Sequence, residues 1–418
     1  MEFRPYDFEK DIESVLRIYR EIGWLKNDEV AKEATRAEQA CGSGLVALIR
    51  GEAECMAMTH EGVMRHGESD LPLCLVSAVT TSHVARQVGY AGRLTAEALA
   101  RDQVENGSLV AILGIFDQGF YDKLGFGTGS YDHVVAFDPA DLLVADVRPR
   151  SPIRLGPGDV ERIHRARLAY VRGHGSCFIR AAGITHGQMM NQSGGFGLGY
   201  EDPDTGELTH HFWAFADDIQ GGPYRIAWQC FRTRDEFREL LGLLRGLADQ
   251  VKLIRMVEGP GVQLQDLLRR PFRGRQISAK GSFEHRNTGI AWWQARIMDL
   301  PGCLERTQLP TEESITLNLT LTDPIEGYLC ETTRERWSGV GGDWVVTLGP
   351  NCKAERSEPR PDLPTMRTSV GTFTRLWLGV NPPTGLALTS ADLEASPDLL
   401  EQLDRVLLMP KPQPDWDM

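Results

Sequence analysis

The chain has 418 residues, 41% of them hydrophobic and 25% charged, an ordinary balance for a soluble globular protein with room for two or three domains. Its formal net charge of −13 disfavours nucleic acid and anionic membranes as partners; it suits a cationic small molecule, although solubility alone accounts for it equally well. No run approaches the roughly eighteen apolar residues of a membrane span, and the charged opening MEFRPYDFEKDIESVLRIYREIG lacks the apolar core of a secretion signal.

In chain order, residues 1–6 read as a strand. Residues 7–22 read as a helix with apolar side chains at Phe8, Ile12, Val15, Leu16, Tyr19 and Ile22. After a turn, Asp28 caps a second helix reaching about Ala40. Residues 44–49 and 53–58 read as antiparallel strands. The stretch 71–127 follows. It holds an apolar run from Leu73 to Val79, the turn Arg86-Gln87-Val88-Gly89-Tyr90-Ala91, an amphipathic segment with Leu94, Ala98 and Leu99, an apolar run from Leu109 to Ile115, and Phe120-Tyr121-Asp122-Lys123-Leu124-Gly125-Phe126. That order predicts strand, tight turn, helix, strand, short helix and strand. A helix that begins on a glycine turn is an anion site: its first N–H groups lack acceptors, its dipole is positive there, and Arg86 adds a charge.

Beyond Phe126, residues 131–137 read as a strand, and the Pro, Gly and Arg of 147–158 read as a linker. Residues 159–171 read as a helix; 194–200, 209–215 and 225–231 as strands; 233–249 as a helix capped by Thr233 with Glu236 three residues on; and 252–257 as a buried strand. The last part opens on a strand and short helix over 290–306. Strands follow at 314–322, where Ile315, Leu317, Leu319 and Leu321 alternate with polar residues, and at 342–348. A helix spans 396–408, and the Pro-rich tail MPKPQPDWDM ends the chain.

The eight cysteines are scattered without C-x-x-C, which reads as reduced thiols in a cytoplasmic protein. Without clustered Cys or His ligands, no metal is expected.

The R-x-x-G-x-A turn at Arg86–Ala91, followed by F-Y-x-K-x-G-F at Phe120–Phe126, resembles the two signatures of the GCN5-related N-acetyltransferase superfamily. The second segment, 151–288, is similar in order but shows neither signature. The final segment resembles a sterol-carrier-protein-like domain. Together they are similar to the enhanced intracellular survival (Eis) type of acetyltransferase. The resemblance implies an α+β fold with mixed sheets: tandem acetyltransferase-like domains at 1–150 and 151–288, the second degenerate, and a sterol-carrier-like domain at 289–418. It implies acetyl-CoA as co-substrate, a small cationic amine as acceptor, and a homo-oligomer such as a hexamer. Carried over residue by residue, Ser77, Ala78 and Val79 meet the acetyl carbonyl and pantetheine. Arg86, Gln87, Val88, Gly89, Tyr90, Ala91 and Gly92 cradle the pyrophosphate. Tyr121 protonates the leaving thiolate, and Met418, through its α-carboxylate, is the general base. The turn from Val79 to Gly89 departs from the pattern by about two extra residues, it carries one arginine where several are common, and the terminal residue is not aromatic.

Each assignment has a plainer counterpart. The turn could belong to an ordinary crossover, Tyr121 to a core with a satisfied hydroxyl, and the tail to the disorder usual at termini. A second functional class also stays open: a non-catalytic protein that binds CoA, acyl chains or lipid through its last domain.

Overall fold

The computed structural model describes residues 2–25, 28–117, 119–170, 172–190, 194–271 and 285–416. Strands β1 (Glu2–Pro5), β2 (Ser43–Ile49), β3 (Glu52–His66), β4 (Ser69–Thr81) and β5 (Val110–Gly114) form most of the first sheet. Helices α1 (Phe8–Glu21) and α2 (Glu29–Ala40) intervene between β1 and β2, and α3 (Tyr90–Asn106) between β4 and β5. Asp28 does cap α2, its carboxylate accepting from Ala31 N–H at 2.7 Å. β3 and β4 run longer than the sequence pattern predicts, and the antiparallel ladder continues to His66 and Ser69. β4 pairs in parallel with β5 from Leu73↔Val110 to Val76↔Leu113, so α3 is the crossover that a parallel pair requires. It buries Leu94, Ala96, Ala98, Leu99 and Ala100.

The second sheet repeats this plan. Phe196–Glu201, Leu208–Ala216 and Tyr224–Cys230 form an antiparallel run. Tyr224–Cys230 then pairs in parallel with Ile254–Val257, across the helix Arg234–Gly246. Thr233 caps that helix as expected, accepting from Glu236 N–H at 3.2 Å. A third sheet of four strands has Ile315–Thr322 at its centre, antiparallel to Gly342–Leu348 and parallel to Thr365–Ser369. The architecture is thus mixed α+β. No helix among the described residues is long and apolar enough to cross a membrane.

The sheets do not respect divisions at 150 and 288. Asp132–Phe137, read with the first segment, lies in the second sheet between Ile254–Val257 and Arg286–Ile290. Cys177–Ile179, from the middle segment, pairs with β3. Trp293–Ile297, from the final segment, pairs with β5 on one side and Gly127–Thr128 on the other. The stretch read as a linker contains a strand, Ile153–Leu155, paired with Gly197–Gly199. These exchanges bury one continuous apolar core, in which Leu73, Leu75 and Ile112 meet Trp293, Phe373 and Trp416.

Candidate active site

The site is built where β4 and β5 part. Their parallel pairing ends at Val76 and Leu113. Immediately afterwards Ser77 is opposite Met58 and Thr80 is opposite Met56, so Ala78 and Val79 together face Ala57 alone. This is a β-bulge, and Ala78 holds the extra residue at φ 53°, an uncommon conformation for a residue with a Cβ. The bulge bends β4 away from β5 and leaves Ser77, Ala78 and Val79 half-buried. Main-chain groups freed from a ladder in this way are available to a ligand.

β4 runs on to Thr81, and the turn follows it in the chain. Gln87 and Gly89 take φ 62° and 81°, and Gly89 is the N-cap of α3 with no side chain satisfying it. The first hydrogen bond of the helix runs from Arg93 N–H to the Gly89 carbonyl at 3.4 Å, so the preceding N–H groups point out of the helix end. No acidic residue occupies the first turn. Arg86, Gln87, Val88 and Gly89 are exposed, and a Cβ at Gly89 would meet nothing within 4 Å. The bend is open, of a shape and polarity that fit a diphosphate. Tyr90 and Ala91 can offer only main chain there. The Tyr90 ring turns back to meet Phe3 edge-on at 6.2 Å, and Ala91 packs against the apolar cluster that holds Leu94, Ala98 and Cys55. Gly92 faces Tyr328, whose ring would lie 3.1 Å from a Cβ at that position.

Tyr121 opens a four-residue 3₁₀ turn, Tyr121–Leu124. Its ring is buried in the cluster that contains Val76 and Leu113, the last paired residues of β4 and β5, and Val79 packs on the same cluster. The phenol therefore sits beside the parting strands. Phe120 and Phe126 flank it edge-on. Burial pushes its pKa up to about 12, with a further contribution from the Asp117 carboxylate. Among the described residues no protein hydrogen-bond partner meets the hydroxyl. Gly125, at φ 79°, closes the turn. A Cβ there would come within 2.5 Å of Val370 and 3.0 Å of Arg296.

Met418, the sequence's candidate base, lies outside the described residues. The tail is docked as far as Trp416. Cys177 N–H donates to the Pro414 carbonyl at 2.8 Å, Ser176 donates to Asp415 at 2.8 Å, and the Trp416 ring lies 3.8 Å from the Arg167 guanidinium carbon.

Sequence reasoning missed two features. His60, buried on β3, places Nε2 2.9 Å from the Ser77 hydroxyl. Desolvation lowers its pKa to about 4, so it pairs with that hydroxyl as a neutral imidazole. Trp24 and Phe116 stand 5.7 Å apart and largely exposed at the end of β5. No local pattern announces either pair, because each joins residues distant in sequence. Among the described residues no group of three or more ligating side chains could hold a metal ion.

No protein-family model matches the sequence, and no curated protein matches it. Solved structures match along the whole chain. A conserved protein of unknown function from Enterococcus faecalis V583, described as a probable N-acyltransferase, superimposes with TM-score 0.74 at 15% identity over 98% of this chain and 97% of its own. A GCN5-related N-acetyltransferase from Kribbella flavida gives 0.72 at 15%, covering 100% and 98%. Eis1 from Mycobacterium abscessus gives 0.73 at 15%, covering 100% of both chains. At such identities the likeness is one of fold: the chain has the fold of the GCN5-related N-acetyltransferases throughout its length.

Proposed function

We propose that this protein is an acetyl-CoA-dependent N-acetyltransferase that acylates a primary amine of a small cationic acceptor. One observation carries the reading: the bulge after which β4 no longer pairs with β5 and the open, uncapped helix end belong to one strand–turn–helix unit, with Tyr121 packed in the cluster that holds Val76 and Leu113. A thioester carbonyl between the strands would accept hydrogen bonds from main-chain N–H groups at Ser77–Val79, which stabilise the developing oxyanion. The diphosphate would rest on the N–H groups of Gln87–Gly92 beside Arg86.

The reaction is direct attack. A free alkylammonium has a pKa of ~10, so a base must remove its proton before the nitrogen can attack. The base is assigned to the Met418 α-carboxylate, supported by the docking of the tail as far as Trp416. The C–N bond forms as the C–S bond breaks, and the sulfur leaves with the electron pair. Tyr121, with its pKa at about 12, meets that sulfur as O–H. The same desolvation raises the basicity of a thiolate beside it, so the proton transfers as negative charge builds. Trp24 and Phe116 offer aromatic faces to a cationic acceptor.

A thiol-release assay with acetyl-CoA against a panel of polyamines, aminoglycosides and simple alkylamines tests the reading. Turnover with at least one amine is expected. Loss of turnover with retained acetyl-CoA binding is expected once Asp415–Met418 are removed, and full activity of that shortened chain would eliminate the terminal base. Tight fatty-acyl binding without thiol release would instead establish the alternative, a lipid or acyl-chain carrier. The same proposal includes a sterol-carrier-like final segment, a cytoplasmic location and a homo-oligomer such as a hexamer, which sedimentation would check.

A further inference from the structure

The turn that carries Tyr121 is held by the far end of the chain. Gln294 and Arg296 lie on Trp293–Ile297, the strand inserted beside β5, and both are fully buried. Gln294 Nε2 donates to Asp122 Oδ1 at 2.6 Å and to Thr128 Oγ1 at 3.3 Å. Arg296 donates through Nη1 to the Leu124 carbonyl and through Nη2 to Asp323 Oδ2 at 2.6 Å. The two side chains grip the turn at its second and fourth residues.

Stability does not call for either choice. Gln294 Oε1 is buried without a partner, a cost that leucine would avoid. Arg296 and Asp323 form a pair with side chains 0% and 1% exposed, and well-packed apolar residues in place of such a pair are often as stable. Meanwhile a four-residue 3₁₀ turn has little hydrogen bonding of its own, and the Tyr121 hydroxyl has no described partner to orient it. Polar groups that cost stability at a place where a short turn must be aimed point to aiming as their use. We propose that Gln294 and Arg296 are positioning residues for the Tyr121 hydroxyl, so that the acetyl-transfer site is completed by the C-terminal third of the chain. The inference rests on the reading of Tyr121 as proton donor. An error of about 1 Å in such a group is enough to cost on the order of a hundredfold in rate.

Gln294→Leu is the variant of choice, since it strands no charge: Asp122 is exposed and stays hydrated. The full-length variant should lose about tenfold in kcat, with the KM for acetyl-CoA within about twofold of wild type. Asp122→Asn, which keeps the acceptor, should retain near-normal kcat. In a Tyr121→Phe background Gln294→Leu should change kcat by less than about twofold, because the group it aims is gone. A loss of equal size in that background, or an unchanged kcat in the wild-type background, overturns the inference. Hydrogen exchange gives a readout independent of activity. Phe126 N–H donates to the Tyr121 carbonyl at 3.2 Å, and its protection should fall in Gln294→Leu while that of α3 does not; unchanged protection overturns the inference as well. If the wild-type protein releases no thiol with any amine, the proposed function fails, and the exchange result still decides whether Gln294 holds the turn.

Discussion

Among the described residues, two parallel strand pairs are each joined by a single long crossover helix, and these helices begin differently. In the first, α3 starts at Gly89 with no side-chain cap and no acid in its first turn. In the second, the helix Arg234–Gly246 starts at Thr233, which caps it, and carries Asp235 and Glu236 in its first turn. Glu236 also accepts from Arg232 N–H, one residue before the cap. The second helix engages one of its free N–H groups with its own cap and places negative charge where an anion would sit. On the proposed reading, the same backbone plan is open to a diphosphate in one half and closed in the other, and a few side chains at one turn separate a binding element from a packing element.

Four substitutions test how far that contrast extends. The largest effect is expected at the chemistry beside the open turn. Tyr121→Phe should lower kcat by about a hundredfold or more with little change in acetyl-CoA binding, read by thiol release and calorimetry; an unchanged kcat would remove the phenol from the reaction. Next, Ala91→Glu gives α3 the acidic first turn of its counterpart. Acetyl-CoA affinity should fall by about tenfold while the helix gains a few tenths of a kcal/mol from its dipole, so binding and thermal stability should move in opposite directions. Thr233→Ala opens the closed end. It should cost about 1 kcal/mol in urea unfolding and leave acetyl-CoA affinity untouched.

The smallest effect concerns the tail that stitches the halves together. Desolvation raises the Asp415 carboxyl from its ordinary 3.8 to about 7, although hydrogen bonds from Tyr170 and Ser176, and then the charges of Arg167 and Arg172, oppose the shift. The docked tail therefore holds its proton more tightly than the free one. Its contribution is complete below 3.8 and is lost as pH climbs through 7. Protection of the Cys177 amide, which donates to Pro414, should be greater at pH about 5 than at pH about 8.5, and Asp415→Asn should flatten the difference.

Local features were legible in the sequence. The Arg86–Gly89 bend, the Thr233 cap and the alternation of Ile315, Leu317, Leu319 and Leu321 each depend on neighbours within a few residues, so their spacing carries them. Strand partnership does not. Asp132–Phe137 and Trp293–Ile297 read correctly as strands, yet nothing within them says which sheet they join, because pairing is decided by an edge far away in the chain. The same reason hid His60 beside Ser77 and Gln294 beside Asp122. The signature around Tyr121 was readable as a pattern, but the contacts that hold it were not. Gly125 shows the link: its place in the signature is set partly by Val370 and Arg296, which no local window contains.

The placement of Trp293–Ile297 between β5 and Gly127–Thr128 also bears on synthesis. As the nascent chain leaves the ribosome, β5 emerges with one edge bare, and its proper neighbour follows only after some 180 further residues have been translated. Unprotected edges invite aggregation, and large chains are vulnerable while they wait for distant segments. A gene fragment stopping near residue 150 should therefore yield insoluble product, whereas co-expression of the missing remainder as a separate polypeptide should restore solubility.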